Sequence, residues 1–386
     1  MEMKQIYLDY NSTTPVDPIV YNKMEYYFDS NYGNPSSLHW IGTSSKKAVN
    51  KSRSLIANGL GCNPNEIIFT SGATESINMA IKGIVASSNK TNKHIITFQT
   101  EHKAVLDTCD YLENNDVEVE YLSVDQNGFI NPNEIRKKIK KETILVTVLH
   151  GNNEIGTIQP LKIIGEICQK ANVPLFVDAA QTFGKIPINV SELGIVMLAA
   201  SAHKIYGPKG TGFLYKSNKI IIDPLIHGGG HEHGLRSGTL NVSGIVGLGE
   251  AFNRINELRE QENEKMNTKI NSLLESFNVA GLDYLINGPE ENRIPGNINI
   301  CLKGIDADWL TTMLPDIAIA RGSACTSETL QPSHVLRAIG LSDEDANSSI
   351  RISLGRFTTE EEIALASNKI INKVQQYFTR KEALAI

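Results

Sequence analysis

Short strand-like runs, several of them apolar and stopping on a polar residue, constrain this chain more than any other feature. Such runs stand at 94–98, 117–124, 144–150, 174–178, 195–201 and 211–215, and helical stretches near 103–114, 132–141 and 161–171 alternate with them. Residues 195–202 are almost wholly apolar or small, the pattern of a strand covered on both faces. Repeated strand–helix units of this length predict an α/β fold with a mostly parallel sheet and helices on both faces. Ligands of such open sheets sit at the carboxyl ends of the strands. Thr70 to Thr74, Glu101-His102, His150 to Glu154, Asp178 to Gln181 and Ser201 to Lys204 all fall at those ends. One polar strand end is chance; this many together predict a site.

Around this centre, the start IYLDYNSTTPVDP is a short strand breaking into a turn, a helix is expected after Pro15 and Pro18, and another from about Ser44 to Leu60, stopped by Gly61. A strand at 66–70 then turns through Ser71–Ser76 into a helix over 77–85. Beyond Ile222 the texture changes. HGGGHEHGLRSGT is a glycine-rich loop suited to a function or an interface, and one or two long helices are expected over 243–277. Strands near 296–302, 317–321 and 349–354 and a helix from Thr359 to about Phe378 suit a small α+β domain. With 386 residues the chain exceeds one compact domain. The boundaries expected are 15–255 for a large domain, and 1–14 with 256–386 for a small one.

Composition narrows the function. A formal charge of −6 gives no reason to expect direct nucleic-acid binding, and the basic cluster Arg136–Lys141 fits a solvated helix face. No stretch approaches a membrane span, and the amino terminus lacks a signal-peptide core. The five cysteines are scattered and form no CxxC pair, which argues against a disulfide framework or zinc ribbon; a cytoplasmic location is expected.

The chemistry starts from Lys204. Burying an ammonium is costly, and burial lowers a lysine's pKa toward the neutral amine that Schiff-base chemistry needs; the alternative is a side chain that snorkels outward. The Ser71–Ser76 turn points free N–H groups and the positive end of a helix dipole at one spot, as a phosphate cradle does, although many α/β loops share that pattern. Asp178 closes another apolar run, as a partner for a pyridinium nitrogen or as an ordinary cap. Pyridoxal phosphate needs a lysine, an acid and a phosphate cradle together, and His102 offers its ring a stacking face. Cys325 stands apart from the core cysteines, among glycine and small polar residues in RGSACTSETLQP, as a reactive thiol does.

These segments resemble a known family. LDYNSTTPVDP, YGNPSSLH, FTSGATESIN, TEHKAVL, HGNNEIGTIQP, VDAAQTFGK, SAHKIYGPKG, GLRSGTLN, GSACTSETLQPSHVL and IRISLGRFT run in order along nearly the whole chain. They are similar to the cysteine desulfurases, the NifS/IscS-like branch of the class V aminotransferase-like pyridoxal-phosphate enzymes. The resemblance implies pyridoxal-phosphate fold type I, with a mostly parallel seven-stranded sheet in the large domain. It implies Lys204 as the Schiff-base lysine, Asp178 as partner of the ring nitrogen, and His102 stacked on the ring and moving protons. Ala73, Thr74, Ser201 and His203 match phosphate-holding positions, and Gln181 matches the residue bonded to the ring hydroxyl. Asn153 lies between cofactor and substrate, and Arg351 matches the clamp on the substrate carboxylate. Thr239 matches a threonine reaching the phosphate of a neighbouring subunit, which implies a homodimer.

The implied reaction takes sulfur from L-cysteine, leaves L-alanine, and puts a persulfide on Cys325 for transfer to an acceptor protein. That acceptor could serve iron–sulfur cluster assembly, tRNA thiolation or DNA phosphorothioation, and nothing in these residues separates the three. A selenocysteine lyase, another class V enzyme such as an aminotransferase, and a non-enzymatic assembly partner are the rival readings; the small-residue loop around Cys325 favours the desulfurase. The chain departs from the family's usual pattern at His231 and His233, where glutamine and arginine are common, and at Gly151. No metal site is expected, since Glu232 is the sole carboxylate at ligand spacing from His227, His231 and His233.

Overall fold

The computed structural model describes residues 5–321 and 332–384. The chain opens with β1 (Ile6–Tyr7) and α1 (Pro18–Asp29). Asp17 caps α1 by accepting from the Ile19 N–H at 2.8 Å, so the helix begins on Pro18 rather than after it. Next, α2 (Trp40–Leu60) starts earlier than 44 because the His39 ring accepts from the Gly42 N–H at 3.3 Å, a cap outside the usual preferences. It stops at Gly61, whose φ of 69° is the left-handed conformation that glycine supplies without strain.

Strand and helix then alternate through β2 (Ile67–Thr70), α3 (Ala73–Ser87), β3 (Lys93–Phe98), α4 (Lys103–Glu113) and β4 (Val117–Leu122). The alternation continues through α5 (Pro132–Lys138), β5 (Thr143–Leu149), α6 (Leu161–Lys170), β6 (Leu175–Asp178), β7 (Met197–Ser201) and β8 (Gly212–Lys216). These strands form one seven-stranded sheet in the order β2-β8-β7-β6-β5-β3-β4. All neighbours are parallel except β8, which runs antiparallel to β2 and β7. The sheet is the mostly parallel one expected for pyridoxal-phosphate fold type I.

Its apolar runs are buried on both faces with period two. Phe69, Phe98, Val148, Val177 and Leu198 face a core shared with α1, α2, α6 and the start of the next helix, while Ile68, Ile95, Leu145, Phe176 and Met197 face α3 and α4. The basic residues 136–138 occupy the last turn of α5, and Lys138 and Lys140 pair with Glu120 and Glu118 of β4 at 2.6 and 2.5 Å.

A single helix, α7 (Val242–Val279), fills the expected 243–277 stretch. Its first turns pack on the large sheet through Leu248 and Phe252; its last turns enter a second core through Met266, Ile270, Leu273 and Phe277. That second core holds β9 (Tyr284–Asn287), β10 (Asn297–Leu302), α8 (Ala307–Thr312) and β11 (Ile317–Ala318). It is completed by β12 (Ser349–Ser353) and α11 (Glu360–Leu384), while α9 (His334–Ala338) and α10 (Asp343–Asn347) form a small separate cluster with Ile155. The sheet β12-β10-β9 is antiparallel, and β1 pairs with β11, the two-residue remnant of the strand expected over 317–321. The amino-terminal Ile6 and Leu8 thus belong to the second core, while Tyr10 belongs to the first. The turn after them passes between the two.

Candidate active site

β7 delivers Ser201 at the carboxyl end of the sheet, and one 3-10 turn, 202–204, lifts Lys204 above it. The lysine is half-buried rather than extended into solvent. Its Nζ donates to the carbonyls of Asn11 and Ser12 at 2.5 and 2.7 Å. The amino-terminal turn therefore closes over the strand end and fixes the amine.

A cavity of about 480 Å³ at this end of the sheet brings together Ala73, Thr74, His102, Asn153, Asp178, Gln181, Ser201, His203, Lys204 and Arg351. Two expected residues stand apart. Thr239 is exposed and does not line the cavity of its own chain, and Cys325 lies outside the described residues. A second groove, of about 790 Å³, runs along β9 and contains none of these strand-end residues.

On one wall, β2 turns at Gly72 directly into α3, which has no side-chain cap, so its first N–H groups are left for a ligand. The turn lies against β8 so closely that a Cβ on Gly212 would stand 2.5 Å from the Ala200 carbonyl oxygen and 2.6 Å from Gly72 Cα. Opposite, Asp178 is buried at the end of β6 and accepts from the Ala180 N–H at 2.9 Å. Burial raises its pKa against the opposing pull of His102, the Ala180 N–H and Lys204. A carboxyl in that state gains from a cationic N–H partner. Gln181 donates to the Asn11 carbonyl at 2.8 Å, but its Oε1 is buried with no hydrogen-bond partner among the described residues. A cradle of free N–H groups, a desolvated acid, an orphan acceptor and an amine in one cavity fit pyridoxal phosphate.

The imidazoles are set by their partners. His102 caps α4 with Nδ1 accepting from the Ala104 N–H at 3.1 Å, so in the neutral ring Nε2 carries the proton. His203 meets Thr13 Oγ1 at 3.1 Å, and burial, with Lys204, Lys209 and Lys185 nearby, pushes its pKa down to about 4. The neighbouring Glu101 is fully buried, accepts from the Leu149 N–H at 2.7 Å and has Oε2 without a partner among the described residues. Its pKa is pushed up to about 8 by burial and by Asp178, against the Leu149 N–H.

Arg351 projects from β12 and is 1% exposed. One terminal nitrogen donates to Asp9 Oδ1 at 2.6 Å and Ser12 Oγ at 2.8 Å, and the other to the Asn153 carbonyl at 3.1 Å. Nε–H remains buried without a partner among the described residues, a donor available to a substrate carboxylate. Asp9, Asn11 and Ser12 thus hold both Lys204 and Arg351. They lie in the LDYNSTTP motif, yet their carbonyl contacts leave no mark in side-chain identity.

Glu232, the carboxylate nearest the loop histidines, does something else. It accepts from Arg53 at 2.6 and 2.9 Å and from the Phe69 N–H at 2.7 Å, and Arg53 lies 4.6 Å from the Phe69 ring centroid. The glycine-rich loop is therefore pinned to β2, and Arg236 in the same loop pairs with Glu75 of α3 at 2.8 Å.

A sequence profile of the family Aminotransferase class-V matches residues 6–365. "Cysteine desulfurase IscS" of Ruthia magnifica subsp. Calyptogena magnifica is 48% identical over 375 residues, which cover 96% of this chain and 93% of the relative. Among solved structures, one described as "NIFS-LIKE PROTEIN" superposes with a TM-score of 0.90 at 37% identity, over 96% of this chain and 99% of the other. "SspA in complex with cysteine" superposes with a TM-score of 0.82 at 36% identity, over 92% and 100% of the two chains.

Proposed function

We propose a division of labour from the premise that the chain belongs to the aminotransferase class-V family, as a NifS/IscS-like cysteine desulfurase. It is a pyridoxal-phosphate enzyme that takes sulfur from L-cysteine and leaves L-alanine, and it needs a sulfur-acceptor partner. The cofactor, when bound, supplies an electron-withdrawing ring that makes bonds of an amino-acid substrate labile. The observation that carries the assignment of residues is the convergence of Lys204, Asp178 and the open amino terminus of α3 in one cavity.

In this reading the N–H groups at Ala73 and Thr74, with Ser201 and His203, hold the phosphate. Lys204 would hold the cofactor covalently through its amine. Asp178 would hold a proton at the ring nitrogen, and Gln181 Oε1 would accept from the ring hydroxyl. His102, its Nδ1 engaged by Ala104, would offer its ring as a stacking face and move a proton through Nε2. Arg351 takes the substrate carboxylate while Asn153 lies between substrate and ring. The Cys325 thiolate then takes the substrate sulfur: a new S–S bond forms, the substrate C–S bond breaks, and the carbon gains the proton that completes alanine. Atoms balance, since one thiol and one L-cysteine become one persulfide and one L-alanine.

We further read 15–255 as the cofactor-binding domain and 1–14 with 256–386 as the small domain; the passage of α7 from one core to the other supports this. A homodimer gives Thr239 a role, because it is exposed and away from its own cavity. Location in the cytoplasm suits the scattered cysteines; no helix among the described residues is long and apolar enough to cross a membrane. The residue assignment is tested on Lys204→Ala reconstituted with pyridoxal phosphate. Loss of the visible absorption of the covalently held cofactor, and of reduction by borohydride, is expected; a protein still labelled by borohydride would overturn it.

A further inference from the structure

Glu154 is 1% exposed and forms no ion pair among the described residues, so its burial needs a reason. It follows Asn153 in the turn after β5. Asn152 ties that turn to β3 by donating to the Thr100 carbonyl at 3.1 Å and accepting from the Glu154 and Ile155 N–H groups at 2.9 and 3.0 Å. The carboxylate reaches across to another element: Ser333 Oγ donates to Glu154 Oε2 at 2.6 Å. The same hydroxyl accepts from the Val335 and Leu336 N–H groups at 3.1 and 3.3 Å as the N-cap of α9. Capping alone uses only the lone pairs of Ser333. Its proton is spent on Glu154.

The neighbours reinforce this link. His334 Nε2 donates to the Glu101 carbonyl at 3.0 Å, directly before His102. Ile155 packs with Val335, Leu336, Ile339 and Ala346 in a small separate core. On the other side of the Cys325 segment, Ala320 and Arg351 exchange backbone hydrogen bonds at 3.1 and 2.6 Å, so the chain leaves for Cys325 from the strand of the carboxylate clamp.

We propose that Glu154, acting through the Ser333 hydroxyl, is a positioning residue for sulfur transfer: it registers α9, which follows the Cys325 segment, against the turn that carries Asn153. The inference rests on the reading of Cys325 as the sulfur-accepting thiol. Misplacing a reacting group by about 1 Å costs on the order of 10²-fold in rate, and neither Glu154 nor Ser333 lines the cofactor cavity. The conservative variants Glu154→Gln and Ser333→Thr keep the acceptor and the donor.

The test uses the reconstituted holoenzyme and follows alanine release, persulfide on Cys325 by mass spectrometry of the alkylated protein, and visible cofactor absorption. Glu154→Ala and Ser333→Ala are expected to lose at least about tenfold in kcat and in single-turnover persulfide formation, with KM for L-cysteine and absorption unchanged. Glu154→Gln and Ser333→Thr are expected to restore the rate. Persulfide formation at the wild-type rate in both alanine variants would overturn the proposal, and so would a loss in Glu154→Ala and Glu154→Gln alike, or a loss matched by lost cofactor absorption. Should Glu154→Ala fail to fold, the Ser333→Ala and Ser333→Thr pair decides. Alanine and sulfide at the wild-type rate in Cys325→Ser would instead remove the underlying reading, and through a different variant.

Discussion

Removing the charge of Glu232 should destabilise the enzyme far more than its loop position suggests. Its side chain and that of Arg53 are 2% and 10% exposed, and the two share hydrogen bonds at 2.6 and 2.9 Å. Glu232→Gln keeps an acceptor for the Phe69 N–H but leaves the Arg53 guanidinium buried beside a neutral amide. Losing one partner of a buried pair costs about 3–5 kcal/mol, roughly 10² to 10⁴ in the folding constant. Glu232 also has φ 48°, a left-handed conformation that costs a non-glycine residue about 1 kcal/mol or more and that the Arg53 contacts sustain. Urea unfolding at fixed pyridoxal-phosphate concentration measures the loss. In the double variant Arg53→Met/Glu232→Leu, where no charge is stranded, the loss should be smaller than the sum of the single losses. A Glu232→Gln protein within about 1 kcal/mol of the parent would refute the reasoning, because it would show that solvent or another group already satisfies Arg53.

Gly212→Ala places a Cβ against two backbone groups, the Ala200 carbonyl and Gly72 Cα, and must push the Ser71–Ser76 turn away from β8; cofactor affinity measured by titration of visible absorption should fall by about tenfold or more. Stability should depend on pH from both sides. His150 and His203 have folded pKa values near 4, depressed by burial from 6.5, so the stability they contribute is present above about pH 6.5 and lost as pH falls toward 4. Glu101 has the opposite sign: raised from 4.5 to about 8, it contributes most below pH 4.5 and progressively less as pH rises through 8. Calorimetry of Glu101→Gln should show a flatter alkaline limb, and an unchanged limb would contradict the buried neutral carboxyl.

The large sheet was legible because several of its strands announce themselves twice, by apolar runs and by a polar residue at the carboxyl end; Asp178 and Lys204 were found that way. β9 was missed, since Tyr284–Asn287 is short, half-exposed and neither apolar nor cleanly alternating. The pairing of Ile6 with Ile317 was equally invisible, because nothing local in two residues specifies so distant a partner. Asn11 and Ser12 illustrate a deeper limit. Their backbone carbonyls hold Lys204, and a carbonyl is common to every residue type. For Glu232, its place beside three histidines gave no hint of its partner, an arginine on α2 distant in sequence.

Single-turnover incubation of the reconstituted enzyme with sulfur-labelled L-cysteine, followed by alkylation and peptide mapping, tests directly whether Cys325 takes the substrate sulfur. One labelled sulfur on the Cys325 peptide for each L-alanine released is the expected result, with Cys325→Ser keeping its cofactor absorption and carrying no label. Stoichiometric alanine with no label on Cys325, or an undiminished rate in Cys325→Ser, would contradict it.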